Sequence, residues 1–293
     1  MQKLSFSGHD TFYCRHYWLK KGIDFIEEGS SFTNKNAVID LGVGKNMVTA
    51  IRFWLRAFDL VQENKDRSKI NLNPFSESLF AENGYDPYCE NIGTLWLLHY
   101  RLTKRGRASI YSLVFNEFRR TRIEFTDQHL QKFLVRKCAL DDYQYNENTI
   151  KRDIRVFVQN YVPSDRANNV EDNFSGLLNE LGIVEKIGKI GKEREKWYRI
   201  ENTERPDLPP LIVLYAILDN DNYGDSVRFD ELLTGKDSVG SIFALNTDAL
   251  LSKIEAFQQI YPDIVYTDDG GIRLLQFKQR PSKEAVLARY YGN

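Results

Sequence analysis

Two short stretches bring chemistry-bearing residues together. "GHDTFYCRH" sets His9, Asp10, Cys14 and His16 within eight residues, and these are the ligand types of a transition-metal site. On a helix, however, Asp10, Cys14 and Tyr17 share a face while His9 and His16 lie on another, so the donors do not converge by local structure alone. The alternative is a capped helix start in which His9 bonds neighbouring backbone or a carboxylate, with His9, Asp10 and Arg15 remaining candidates for a functional surface. "LGVGKNMV" (Leu41 to Val48) has the glycines and lysine of a phosphate cradle. A Walker loop needs G-x-x-x-x-G-K-[ST] after a strand, but Ile39 stands at its first glycine, Asn46 at its Ser/Thr, and the preceding residues are helix-like. A helix C-cap at Gly42, a short turn and Asn46 as the N-cap of the next helix account for the same residues without a ligand.

Elsewhere the chemistry is thinner. His99 and His129 are solitary, and "DNDNYGD" (219–225) lacks the closing glutamate of a calcium loop. Hydrolase, metalloprotease and dinucleotide fingerprints do not occur in suitable settings. No catalytic residue, cofactor or metal ligand is assigned, and the chain reads as non-enzymatic.

The elements that must position these residues are short helices separated by turns. Ser7 with Asp10 resembles a capping box opening a helix through Phe12, Trp18, Leu19 and Ile23. "NAVIDL", "NMVTAIRFWLRAFDLV" and the apolar "GTLWLLHYRL" follow as helices, with "INLNPF" a strand or an extended entry to a helix. A second block repeats the plan with "ASIYSLVFNEFRR", "TDQHLQKFLVRKC" capped by Thr126, and "NENTIKRDIRVFVQNYV" ended by Pro163. There "FSGLLNELGIVEKIG" reads as a helix running into a two-stranded hairpin with "EKWYRI". A third block holds the proline-initiated helix "LPPLIVLYAIL", then "FDELL", "TDALLSKIEAFQQI" and a hairpin turning at Asp269-Gly270. Three domains are expected: 1–104, 105–204 and 205–293.

Two of these helices match. Aligning "KNMVTAIRFWLRAF" with "NTIKRDIRVFVQNY" pairs Met47 with Ile150, Ile51 with Ile154, Trp54 with Phe157, Leu55 with Val158 and Phe58 with Tyr161, one helical face. The opposite faces are polar: Lys45, Thr49, Arg52 and Arg56 in one, Asn148, Arg152, Arg155 and Gln159 in the other. Such a face is what a recognition helix presents to base edges and phosphates. The joins "DLV", "GIV" and "DIV" pass from helix to strand as the last helix of a winged helix-turn-helix enters its wing. The expected fold is therefore mainly α, in tandem winged helix-turn-helix-like modules with short β-hairpin wings.

Net charge bounds the partner. At −1 over 293 residues the chain lacks the basic excess of a protein that coats nucleic acid by bulk attraction, so contacts must come from patches. Arg101 to Arg122 supplies one, with seven Arg or Lys against one Glu, and the lysine-rich Glu185 to Arg199 another. Without an apolar run of eighteen residues or a secretory layout at "MQKLSFSGHDTF", a cytoplasmic protein with no membrane role is expected. Cys14, Cys89 and Cys138 are odd in number and far apart, as free thiols are in a reducing compartment.

"FSGHDTF" (Phe6 to Phe12), "LGVGKNMVTAIRFWLRAF" (Leu41 to Phe58) and "DPYCENIGTLWLLHYRL" (Asp86 to Leu102) together resemble the prokaryotic domain-of-unknown-function family 4007. The similarity extends through "NENTIKRD" to "VLARYYGN", with departures at Asp10, where members carry Glu, and at "CEN". The resemblance implies a protein encoded beside phosphoadenosine-phosphosulfate (PAPS)-reductase-like genes in DNA phosphorothioation and related anti-phage loci, with other subunits of such a system as partners. It implies no catalytic mechanism.

Taken together, the reading is a non-catalytic component of such a system that binds double-stranded DNA. Thr49, Arg52, Arg56, Arg152 and Arg155 are expected at bases or phosphates, and Lys45, Lys104, Arg105, Lys189 and Lys192 along the backbone. The competing reading is an adaptor whose modules join protein subunits, and a third is an enzyme or sensor around His9, Asp10 and Arg15.

Overall fold

The computed structural model describes residues 4–64, 70–163, 176–190 and 195–292, with Lys189 and Ile190 described by backbone only. Two compact units emerge, Met1–Ile200 and Glu201–Asn293. Helices alternate with three small antiparallel sheets, a mixed α/β fold where a mainly α one with short β-hairpin wings is expected from the sequence.

The first unit opens with α1 (Trp18–Glu27), α2 (Ala37–Asp40) and α3 (Lys45–Ala57), followed by the hairpin of β1 (Val61–Glu63) and β2 (Ile70–Leu72). α4 (Pro74–Phe80) is capped by the Asn73 side chain with proline in its first turn, so "INLNPF" holds both the strand β2 and the entry to a helix. α5 (Ile92–Arg105) is buried on almost every face. Next come α6 (Ser109–Leu113), a π-turn (Val114–Phe118) and α7 (Arg119–Thr121), then the two-residue strand β3 (Glu124–Phe125). α8 (Asp127–Leu140) and α9 (Glu147–Tyr161) precede a 3-10 turn (Asn179–Leu181) and strands β4 (Glu185–Ile190) and β5 (Glu195–Arg199). β5 lies between β3 and β4, so the expected two-stranded hairpin carries a third strand.

The second unit runs α10 (Pro210–Leu218), β6 (Ser226–Arg228), α11 (Phe229–Thr234), α12 (Val239–Ile242), α13 (Thr247–Ile260), β7 (Ile264–Asp269), β8 (Ile272–Phe277) and α14 (Lys283–Tyr291). Its sheet order is β6-β8-β7, the same first-third-second arrangement as β3-β5-β4. Asp269 pairs with Ile272, so the turn is Gly270-Gly271 rather than Asp269-Gly270. Both glycines have positive φ, as a two-residue turn matching strand twist requires.

The aligned helices share one core. Trp54 of α3 and Phe157 of α9 both meet the ring of Tyr111, at 6.2 and 5.4 Å between centroids, and Phe115 and Tyr161 extend the cluster. Burying aromatics from residues on both sides of position 104 in one cluster makes a single unit of the stretch that the sequence divides there.

Two local expectations are corrected. Residues 7–17 do not form a helix. Ser7, Gly8 and Asp10 have positive φ, and α1 begins only at Trp18 because tertiary partners claim the backbone that a helix would have used. Further on, α3 starts at Lys45 with Gly44 as its N-cap, two residues earlier than a cap at Asn46. Gly42 does adopt the left-handed conformation, φ +60°, that ends α2.

Candidate nucleic-acid interface

The outward face of α3 begins with Lys45 and Thr49, both exposed, the Thr49 hydroxyl donating to the Lys45 carbonyl at 3.4 Å. Arg52 and Arg56 follow and are half-buried. Arg52 Nη2 lies 2.9 Å from Glu63 Oε1, and Arg56 Nε lies 3.3 Å from Glu63 Oε2. One carboxylate at the end of β1 thus restrains both guanidiniums and cancels one of their two charges. Arg52, expected to project freely, is corrected to an ion-paired residue. The signal was in the strand, since period-two alternation puts Glu63 on the same side as the buried Val61.

The basic run that begins in the last turns of α5 divides in the same way. Arg101 is buried, donates to the Asp59 carboxylate at 2.7 Å and to the Phe58 carbonyl at 3.2 Å, and lies 4.0 Å from the Phe75 ring centroid. Arg105 Nε shares Asp59 at 2.9 Å, and Lys104 Nζ sits 5.4 Å from the Tyr100 ring. Asp59, held in a left-handed turn after α3, consumes charge that a linear reading assigns to DNA. Arg107, Arg120 and Arg122 of the same run remain exposed.

α9 is different. Arg152 and Arg155 are exposed, Lys151 joins them, and none of the three has an ion pair among the described residues. The inward side of α9 carries Asp153 and Asn160 at the positions where α3 has Ala50 and Ala57. Those two polar groups hold the N-terminal segment. The Ser7 N–H donates to both Asp153 oxygens at 3.1 Å, His9 Nε2 lies 3.2 Å from Asp153 Oδ1, and the Cys14 N–H donates to Asn160 Oδ1 at 3.0 Å. From α3, the Trp54 indole donates to the Phe12 carbonyl at 3.1 Å. Gly8 has φ +101°, and a Cβ there would meet the Phe53 ring at 2.7 Å, so no other residue fits without displacement.

"GHDTFYCRH" is therefore a docking segment in this structure. His9 is buried against a carboxylate, Asp10 is exposed, Arg15 lies 5.4 Å from the Trp18 ring, and Cys14 is buried, its thiol pushed up by desolvation. Among the described residues no three His, Cys, Asp or Glu side chains are grouped to hold a metal ion. His99 is buried with Nδ1 2.8 Å from the Tyr161 hydroxyl. His129 completes a capping box with Thr126 at the start of α8.

On the sheet, Lys196 of β5 is exposed and Lys186 of β4 half-buried. Lys189 lies on β4 with its side chain outside the described residues, as is Lys192 altogether. In the second unit α13 offers Asp248, Ser252, Glu255 and Gln259 to solvent. Its Lys253 is buried, with desolvation lowering its proton affinity against the opposing Asp207. No described helix is long and apolar enough to cross a membrane.

Residues 6–291 match the family described as "Protein of unknown function (DUF4007)". Two solved structures are similar over 99% of this chain and 88% of theirs: a magnesium ion-bound SspB at 30% identity and TM-score 0.86, and SspB at 29% identity and TM-score 0.86. No protein of curated function matches. The chain belongs to the DUF4007 family.

Proposed function

We propose that the protein is a non-catalytic, double-stranded-DNA-binding component of a prokaryotic DNA-modification or anti-phage defence system, and that its modules are winged helix-turn-helix units. The observation that carries the DNA reading is the exposed triplet Lys151, Arg152 and Arg155 on a helix whose other side is locked into the core. Support for the winged-helix reading comes from the helix-strand-helix-helix-strand-strand order from α7 to β5, the same order with one further helix from α10 to β8, and the first-third-second arrangement that their two sheets share. The defence context rests on the family and on the likeness to SspB, with phosphorothioation loci and a PAPS-reductase-like partner as its finer form.

Duplex binding measured across a salt series tests this. Phosphate contacts make affinity fall steeply with ionic strength, and each lost contact flattens the slope by about one. Arg152→Ala with Arg155→Ala is expected to weaken binding at least about tenfold at low salt and to reduce the slope by about two, with the fold intact. Unchanged affinity sinks the DNA reading. The adaptor reading then takes its place, favoured by the internal neutralisation of Arg52, Arg56 and Arg105.

A further inference from the structure

A cavity of about 290 Å³ opens between α1 and α2. Phe25 and Leu41, both buried, form its floor, while Tyr17 and Glu28 from the α1 side and Asp40 from α2 reach its mouth. At the small end of ligand sites, it fits one long side chain rather than a polymer.

Its charges are unequally matched. Lys20 is paired with Asp24, and Lys21 Nζ donates to the Leu41 carbonyl at 2.9 Å, tying α1 to α2. Glu28 and Asp40 are exposed and have no ion pair among the described residues. With Lys20 and Asp24 paired, the remaining charges of the wall are Lys21 and the carboxylates of Glu28 and Asp40, a net of one negative charge, which disfavours phosphate and favours a cation. Tyr17 lines the cavity, is 60% exposed and makes a T-shaped ring pair with His16 at 5.1 Å, so an aromatic ring is available to that cation. Val38 and Ile39 precede Asp40 on α2 and are exposed, the latter 78%, an apolar surface on the same helix that a small free cation does not need. Aromatic anchors, a buried guanidinium and an apolar surround are what protein interfaces concentrate at their centres.

We propose that this cavity is a socket for an arginine side chain of a protein partner. The guanidinium lies against Tyr17 and the Glu28 and Asp40 carboxylates, and the partner's neighbouring apolar residues cover Val38 and Ile39. Arginine suits the site better than lysine because its planar group stacks on a ring while its edge meets carboxylates. The proposal does not rest on the DNA reading and survives that reading's failure.

The test is a methyl-detected NMR titration of the full chain, following Ile39 and Leu41, with acetyl-arginine amide and its neutral isostere acetyl-citrulline amide as probes. Arginine amide is expected to give saturable shifts at both methyls, and citrulline amide none. Glu28→Gln with Asp40→Asn, both at exposed positions, is expected to weaken arginine binding at least about fivefold, a loss typical of exposed charge pairs. Equal shifts with citrulline, indifference to the double variant, or displacement of arginine by duplex DNA each overturns the assignment.

Discussion

α3 and α9 share an apolar frame and bury aligned aromatics, Trp54 and Phe157, around the same Tyr111 ring. Their polar sides diverge. On α3 the guanidiniums of Arg52 and Arg56 close on Glu63, and just beyond it Arg101 and Arg105 close on Asp59. On α9 Arg152 and Arg155 stand in solvent, while the inward polar positions, Asp153 and Asn160, anchor the N-terminal segment. The same residue type does two jobs, and the neighbouring carboxylate decides which. Net charge along a sequence window is a poor guide to a binding surface when an acid from the next element reaches back.

The largest expected effect breaks or upholds that division directly. Arg101→Ala removes a buried guanidinium with its bonds to the Phe58 and Asp59 carbonyls and leaves the Asp59 carboxylate to Arg105, so unfolding stability is expected to fall by about 2–3 kcal/mol. Arg155→Ala, at an exposed site, should stay within about 0.5 kcal/mol of the parent. Denaturant titration of the two variants measures both, and similar losses would erase the distinction.

Much of this arrangement was legible beforehand, and the failures have a common cause. Apolar patterning located α3, α5, α9 and α13, and a local cap placed the start of α8, because Thr126 bonds backbone within three residues of itself. What escaped depends on distant partners. Residues 7–17 look like a capped helix until Asp153 takes the Ser7 N–H. β3 and β6 are two and three residues long and have no pattern of their own; pairing with β5 and β8 defines them. Of the candidate site, exposure at Lys45, Thr49, Arg152 and Arg155 follows from the apolar stripe opposite. The ion pairs at Arg52, Arg56 and Arg105 do not, since they require the hairpin and the turn after α3 to fold back.

A subtler intervention sharpens the comparison by making α3 resemble α9. Glu63→Gln keeps the shape of the β1 end and frees two guanidiniums from their carboxylate. If α3 also approaches the duplex, affinity at low salt should rise roughly threefold, with a salt slope steeper by about one. A gain equally large at high salt, or no gain, would confine DNA contact to the module of α8 and α9.

The smallest effect concerns the start of α8. His129 Nδ1 accepts the Thr126 N–H at 3.2 Å, so the capping box needs an unprotonated ring nitrogen. Desolvation lowers the proton affinity of the ring, Arg122 and then Lys132 lower it further, and Glu195 opposes them. A histidine that binds its proton less readily folded than unfolded adds stability above the ordinary value of 6.5, and that stability is lost as pH falls through the lower folded value. An NMR titration of the ring should therefore have its midpoint below 6.5, with Arg122→Ala moving it upward. Duplex phosphates drawn to Arg122 and Lys132 would add negative charge near the ring, so saturating DNA should raise the midpoint further. A midpoint indifferent to DNA would place the duplex away from α8 and leave the exposed arginines of α9 as the sole contact in that module.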